Sequence, residues 1–130
     1  MIATLVLYDH IYDLALTGGL SLESAKLALI SSDYTPSAEH TAWSDVSAHE
    51  VTGPGYTAGG AALSGTVTGG LFDAGDVTWA GLEATFAYGV LYSGTDLIGY
   101  MTFSGGNSIT TTGYDFEIVW SVAGIIKAEE

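Results

Sequence analysis

The sequence predicts a mainly β fold, an antiparallel β-sandwich of jelly-roll type with one short N-terminal α-helix. From residue 61 onward, short runs alternate apolar and polar residues, as strands with one buried face do. Glycine-rich turns separate these runs at the spacing typical of sandwiches and jelly rolls. The chain has 130 residues without an internal repeat or a linker, so we expect a single domain over 1–130.

The N-terminal helix is expected over Asp9–Thr17. We expect Asp9 to cap its start and Gly18-Gly19 to end it. One helical face carries the apolar residues, which are Leu7, Ile11, Leu14 and Ala15.

The next segments predict one buried strand and a turn-rich connection. Lys26–Ser31 is almost wholly apolar and is expected to be covered on both faces. Ser32–Pro36 is expected to break this strand, and Thr35 is expected to be extended because it precedes a proline. Ser37–Glu50 is expected to contain a helical turn capped by Ser44 or Asp45.

The second half of the chain predicts the remaining strands. We expect them at Ala61–Thr68, Leu71–Phe72, Val77–Trp79, Thr85–Tyr92, Leu97–Phe103, Ile109–Thr112, Tyr114–Val122 and Ile125–Ile126. Alternation should place residues 61, 63, 65 and 67 on one face, and likewise 86, 88, 90 and 92, and 116, 118 and 120. Ser93–Asp96 has the composition of a hairpin turn, and Gly69-Gly70 and Gly105-Gly106 are expected to be turns.

The charge balance excludes several classes of partner. Fifteen acidic residues face two lysines and no arginine, for a net charge of −13. Nucleic-acid binding and adhesion to anionic membranes both need clustered cations, so we expect neither. No segment is long and apolar enough for a transmembrane helix, and we expect no secretory signal. Only 13% of residues are charged, which suits a surface that is buried in an assembly.

No motif predicts a catalytic residue, a cofactor or a metal site. The three histidines lack metal-ligand spacing, the chain has no cysteine, and no GxSxG pentapeptide is present. Asp73–Asp76 offers oxygen ligands but lacks the pattern of a calcium loop, so an Asx-type turn is the favoured interpretation. We therefore expect no enzymatic activity.

The most unusual segment is Trp43–Leu63, WSDVSAHEVTGPGYTAGGAAL. It is too rich in turn residues for a helix and too aromatic for a disordered linker, so we expect an ordered loop that leads into a strand. The carboxylate of Glu50 is expected to cap loop N–H groups. Gly59-Gly60 is expected either to allow close approach of two backbones or to form a bulge at the start of the strand. The candidate interface residues or loop anchors are Trp43, Glu50, Tyr56, Gly59 and Gly60.

This segment resembles the central signature of a family of small tailed-bacteriophage virion structural proteins. The neighbouring pieces agree in order, namely YDHIYDLALTG, KLALISSDYTP, FDAGDVTW, YGVLY, LIGYMTF and WSVAGII. The resemblance implies a non-enzymatic virion component, assembled in the host cytoplasm, that decorates the head surface as a cement protein. A head–tail, tail-accessory or fibre-associated role is the alternative. It also implies a homo-oligomer, for which a trimer is typical, bound to major capsid or tail proteins.

Two hypotheses from other classes remain open. Aromatic and acidic loops around Trp43, Tyr56 and Asp73–Asp76 would suit a glycan-binding module for host attachment. That hypothesis requires both aromatic side chains to lie in a solvent-facing groove. A small hydrolase that uses Glu50 is the third hypothesis, supported only by the presence of carboxylates.

Overall fold

The computed structural model describes residues 5–18, 22–68, 71–103, 107–120 and 126–127. Within these ranges the chain is mainly β, with antiparallel sheets and one α-helix, so the predicted fold class is confirmed. The sheets stay open and do not close into a barrel. Several predicted features lie outside the described residues: Gly19 at the helix end, the turns at 69–70 and 105–106, the last two residues of the predicted strand Tyr114–Val122, and Ile125.

The α-helix, α1, spans His10–Thr17. The strands are β1 Val6–Leu7, β2 Lys26–Ile30, β3 Ala61–Ala62, β4 Thr66–Thr68, β5 Leu71–Asp73, β6 Val77–Leu82, β7 Thr85–Phe86, β8 Tyr88–Ser93, β9 Asp96–Thr102, β10 Ile109–Thr110, β11 Tyr114–Ile118 and β12 Ile126–Lys127. Short 3₁₀ helices span Leu22–Ser24, Trp43–Asp45 and Ser47–His49.

The largest sheet has five strands in the order β1-β9-β8-β2-β3. One face packs against the smaller sheets β10-β7, β11-β6 and β12-β5-β4, through a core that includes Leu27, Leu29 and Phe86. The other face packs against the irregular segment 31–50, through a second core around Ala28 and Val90. The central sheet is thus covered on both sides, which explains why β2 is apolar along nearly its whole length.

The prediction for the C-terminal end of helix α1 is confirmed, and the prediction for its N-terminal cap is wrong. Gly18 has φ +76° and donates its N–H to the carbonyl oxygen of Leu14, which ends the helix in the left-handed conformation that glycine adopts readily. The prediction that Asp9 caps the start is wrong. Asp9 has helical backbone angles, and its side chain makes no capping hydrogen bond.

The predicted strand Ala61–Thr68 is two strands in different sheets. β3 joins the five-stranded sheet beside β2, whereas β4 pairs with β5. The break falls at Ser64, whose φ of +51° lies in the left-handed region and ends the alternation. Val67 is consequently 47% exposed and does not share the buried face of Leu63.

The predicted strand Thr85–Tyr92 is also interrupted, at Ala87. Residues 88, 90 and 92 face the second core as predicted, but Phe86 belongs to the opposite core. There Phe86 makes edge-to-face contacts with Phe103 and Phe116, with ring centroids 5.6 and 4.9 Å away. The prediction of one continuous apolar face was wrong because the break at Ala87 resets the alternation. The hairpin turn at Ser93–Asp96 is confirmed by the pairing of its end residues across Gly94 and Thr95.

Candidate functional site

The Trp43–Leu63 stretch runs along the outer edge of β2. Its first half reaches that edge at Glu50, which bridges to Ile30, and at Val51, whose N–H donates to the carbonyl oxygen of Leu29 over 3.1 Å. Its second half returns as β3, which pairs with Lys26 and Leu27 of β2. The stretch therefore covers an edge that would otherwise expose unpaired backbone groups.

A side chain fills the gap between these two paired regions. The N–H of Leu29 donates to the hydroxyl oxygen of Tyr56, 3.2 Å away. The same hydroxyl donates to Oε2 of Glu50 over 2.5 Å. The hydroxyl thus takes the place of a neighbouring strand's carbonyl group for the N–H of Leu29, whose own carbonyl oxygen is paired with Val51. A buried N–H without a partner would be costly.

Glu50 holds the loop together from a second direction. Its Oε2 also accepts the N–H of Gly59 over 2.8 Å, as the sequence predicted for a carboxylate that caps loop N–H groups. The hydroxyl of Tyr92, from β8, donates to the carbonyl oxygen of Gly59 over 2.6 Å. Burial, followed by the hydrogen bond to Glu50, raises the pKa of Tyr56 far above its usual value, so this phenol stays protonated.

Gly59 and Gly60 both have left-handed backbone, with φ of +93° and +86°. At Gly60 a Cβ atom would lie 2.0 Å from the carbonyl oxygen of Leu27, so the loop backbone touches β2 directly. At Gly59 the nearest atom to a Cβ would be the hydroxyl of Tyr92 at 3.4 Å, an ordinary contact. Close backbone approach, predicted for the pair, occurs at Gly60.

Trp43 anchors the stretch on the other face of the sheet. Its ring is half-buried and stacks on Tyr92, with centroids 4.0 Å apart and an interplanar angle of 9°. Its backbone N–H donates to the carbonyl oxygen of Thr95 over 2.8 Å. Tyr92 therefore joins both ends of the stretch, since its ring contacts Trp43 and its hydroxyl binds Gly59.

No protein-family model, curated protein or solved structure matches the chain.

Asp45 fixes the turn that presents Trp43. Its Oδ2 accepts the N–H groups of Thr41 and Ala42, each over 3.1 Å, so it stabilises the predicted helical turn from inside rather than from the N-cap position. Ala42 occupies that position and has no polar side chain. Of the two predicted caps, Ser44 and Asp45, it is Asp45 that binds the backbone at this turn. These two backbone hydrogen bonds lower the pKa of Asp45.

The lowered pKa gives a pH-dependent prediction. A carboxylate whose pKa is depressed in the folded state adds stability above its unfolded pKa of about 3.9, and loses it as pH falls through the lower folded value. We expect Asp45→Asn to lower the Tm at pH 7, and the difference from the unchanged protein to shrink below about pH 4. Thermal melts from pH 7 to pH 2.5 would measure it. A Tm difference independent of pH would contradict the assignment.

A serine, an aspartate and a histidine do assemble, in an order that does not suit catalysis. Asp33 accepts the hydroxyl hydrogen of Ser31, and its Oδ1 lies 3.2 Å from Nδ1 of His49, an ion-pair distance outside hydrogen-bonding geometry. The hydrogen bond from Ser31 is the largest cause that lowers the pKa of Asp33. In a catalytic triad the histidine lies between the serine and the aspartate and accepts the hydrogen bond from the serine hydroxyl. Here the aspartate lies between the serine and the histidine and accepts that hydrogen bond.

No sequence pattern predicted a second cluster of polar side chains, which is buried. The hydroxyl groups of Tyr8 and Tyr34 lie 2.9 Å apart, and the Tyr34 hydroxyl lies 2.8 Å from Nδ1 of His40. Both tyrosines are buried, which raises the pKa of each. Tyr34 belongs to the irregular segment 31–50, and Tyr8 follows β1, so their hydrogen bond links these two parts of the chain over the central sheet. The two residues are far apart in the sequence, so no local pattern predicts the contact.

The remaining candidate sites are occupied by structural contacts. Oδ1 of Asp73 accepts the N–H of Ala74, and Oδ1 of Asp76 accepts the N–H of Trp120, so both carboxylates bind backbone groups. Neither contact is the bond to the backbone two residues on that defines the predicted Asx-type turn. Within the described ranges, no three histidine or acidic side chains group closely enough to hold a metal ion. Over the same part of the chain, no helix has the length and apolarity needed to span a bilayer.

Proposed function

We propose that the chain is a non-enzymatic structural protein of a tailed-bacteriophage particle, and that it decorates the head surface as a cement protein. In this proposal it assembles in the host cytoplasm, associates with itself as a homo-oligomer, and binds the major capsid protein. A head–tail or tail-accessory position is the alternative location within the same particle. The family resemblance of the Trp43–Leu63 stretch supplies the phage assignment.

One observation supports a structural rather than a catalytic function. The distinctive residues of the stretch are engaged in the chain's own fold, through contacts that join Leu29, Tyr56, Glu50, Gly59 and Tyr92. A catalytic or binding loop would instead present such groups to solvent. Because the most unusual segment stabilises the fold, the contacts support the proposal that the chain is a structural component of an assembly.

The glycan-binding alternative required Trp43 and Tyr56 to lie together in an open groove. Trp43 gives one ring face to Tyr92 and packs on the second core, whereas Tyr56 packs against the first core on the other side of the sheet. Two aromatic side chains on opposite faces of one sheet do not form a single sugar platform. This arrangement favours the structural proposal.

The proposal is tested on purified particles. Quantitative mass spectrometry should find the chain at a fixed ratio to the major capsid protein, and cryo-electron microscopy should find it on the head. Mass photometry of the purified chain should find an oligomer, for which a trimer is expected. Absence of the chain from purified particles, or a clean monomer that does not bind them, would overturn the proposal.

A further inference from the structure

Helix α1 carries an apolar surface that the described part of the chain leaves uncovered. Leu16 is 87% exposed and Tyr12 is 60% exposed, the two highest values for large apolar side chains in the described part of the chain. The helix already has a buried side, formed by Ile11 and the half-buried Leu14. Leu16 and Tyr12 lie on the side of the helix away from the core, so burial in the core does not explain their apolar character.

The exposed side is acidic as well as apolar. At 100° per residue, Asp9, Tyr12, Asp13 and Leu16 fall within about 100° of one another on the helix surface. Asp9 has helical backbone angles and makes no capping bond, so its carboxylate belongs to this face. We call these four residues the α1 face. All four are exposed.

We propose that the α1 face is a docking surface for a basic protein, one that presents lysine or arginine side chains around an apolar pocket. Leu16 and Tyr12 would enter the pocket, and the two carboxylates would pair with the cations at its rim. An aromatic and an aliphatic side chain at adjacent helical turns are the usual anchors of a helix that binds in a groove. Rim charges add specificity and rate to such a contact.

Charge excludes the other occupants of this face. A second copy placed face to face would bring Asp9 and Asp13 of each copy together, on chains that each carry a net charge of −13. An anionic lipid surface would be repelled by the same carboxylates, since membrane-bound helices carry cations on their polar side. Self-association of the chain would thus use other, neutral surface.

The inference rests on the proposed function only for the identity of the partner, which would be a capsid or tail protein. The chemistry of the face does not depend on it. The tests therefore need one arm without phage particles and one arm with them, so that the two proposals fail separately.

The first arm uses the ¹⁵N-labelled full chain and a synthetic amphipathic helical peptide of leucine and lysine, whose apolar leucine side and flanking lysines stand in for the apolar pocket and its cationic rim. We expect saturable shifts confined to the amides of residues 9–17, weakened at least about tenfold by Leu16→Ser, in keeping with an anchor residue. Val67→Thr is the matched control at another exposed apolar position and should bind like the unchanged chain. A peptide with serine in place of leucine tests charge alone and should bind weakly. Shifts spread over the whole surface, or equal affinity for Leu16→Ser, would overturn the docking surface.

The second arm measures rebinding of the chain to particles depleted of it. Loss of rebinding with Leu16→Ser but not with Val67→Thr would support both proposals, and added salt should weaken binding of the unchanged chain. Rebinding by Leu16→Ser at full affinity would overturn the docking surface and leave the virion assignment standing. If the first arm succeeds and the unchanged chain does not bind particles, the virion assignment fails and the docking surface stands.

Discussion

Gly60→Ala is expected to destabilise the protein by about 3 kcal/mol or more, because a left-handed backbone and a steric clash coincide there. The new Cβ would lie 2.0 Å from the carbonyl oxygen of Leu27, which is backbone of the central sheet and cannot move without separating β3 from β2. Since small domains are stable by only about 5–15 kcal/mol, the loss is a large share of the total. Urea unfolding at constant m-value would measure it.

Substitutions at two other glycines would separate the cost of left-handed backbone from the cost of the steric clash. Gly59 has nearly the same φ, but its Cβ would make only an ordinary contact, and Gly18 has φ +76° with open space around it. We expect Gly59→Ala and Gly18→Ala to cost about 1–2 kcal/mol each, the price of the left-handed conformation alone. Equal losses at all three positions would show that the backbone contact at Gly60 contributes nothing.

Glu50→Ala and Tyr56→Phe are each expected to cost about 2–3 kcal/mol, because each leaves buried or half-buried polar groups without a partner. Glu50→Ala removes the acceptor for the Tyr56 hydroxyl and for the N–H of Gly59. Tyr56→Phe removes the acceptor for the N–H of Leu29. Because the two side chains share one hydrogen bond, the double variant should lose about 1–2 kcal/mol less than the sum of the single losses.

The control for this double-mutant cycle of Glu50 and Tyr56 is Tyr114→Phe. The hydroxyl of Tyr114 donates to the carbonyl oxygen of Thr110, but the residue is 55% exposed, so water can replace the lost bond. Its loss should stay within about 0.5 kcal/mol. Additive losses for Glu50 and Tyr56, or a loss at Tyr56 no larger than at Tyr114, would contradict the network.

The elements that the sequence predicts well are those with a strong local signal. The apolar run of β2, the periodicity of α1, the glycine after it and the hairpin at Ser93–Asp96 each depend on a few neighbouring residues. The two errors in the predicted strands fall where a single residue breaks a pattern. Ser64 adopts a left-handed conformation and Ala87 interrupts a strand, and neither residue type predicts its own conformation.

The candidate residues were identifiable from composition, but their partners were not. A carboxylate, a tyrosine and paired glycines in one loop predict an ordered, capped loop. That the Tyr56 hydroxyl completes the ladder of β2 depends on the three-dimensional separation of Val51 and Ala61 along that strand. The stacking of Trp43 on Tyr92 likewise joins residues 49 positions apart, so no local pattern encodes it.

The Trp43–Leu63 stretch forms the edge of the central sheet, and the hydroxyl of Tyr56 completes that edge. Amide hydrogen exchange at Leu29 tests this role of Tyr56 most directly. In Tyr56→Phe we expect the protection of the Leu29 amide to fall at least about tenfold more than that of Ala28, whose N–H points toward β8. Tyr92→Phe, which removes another hydroxyl from the same loop, should leave the ratio of Leu29 to Ala28 unchanged. Equal protection of Leu29 in the unchanged chain and in Tyr56→Phe would contradict the claim.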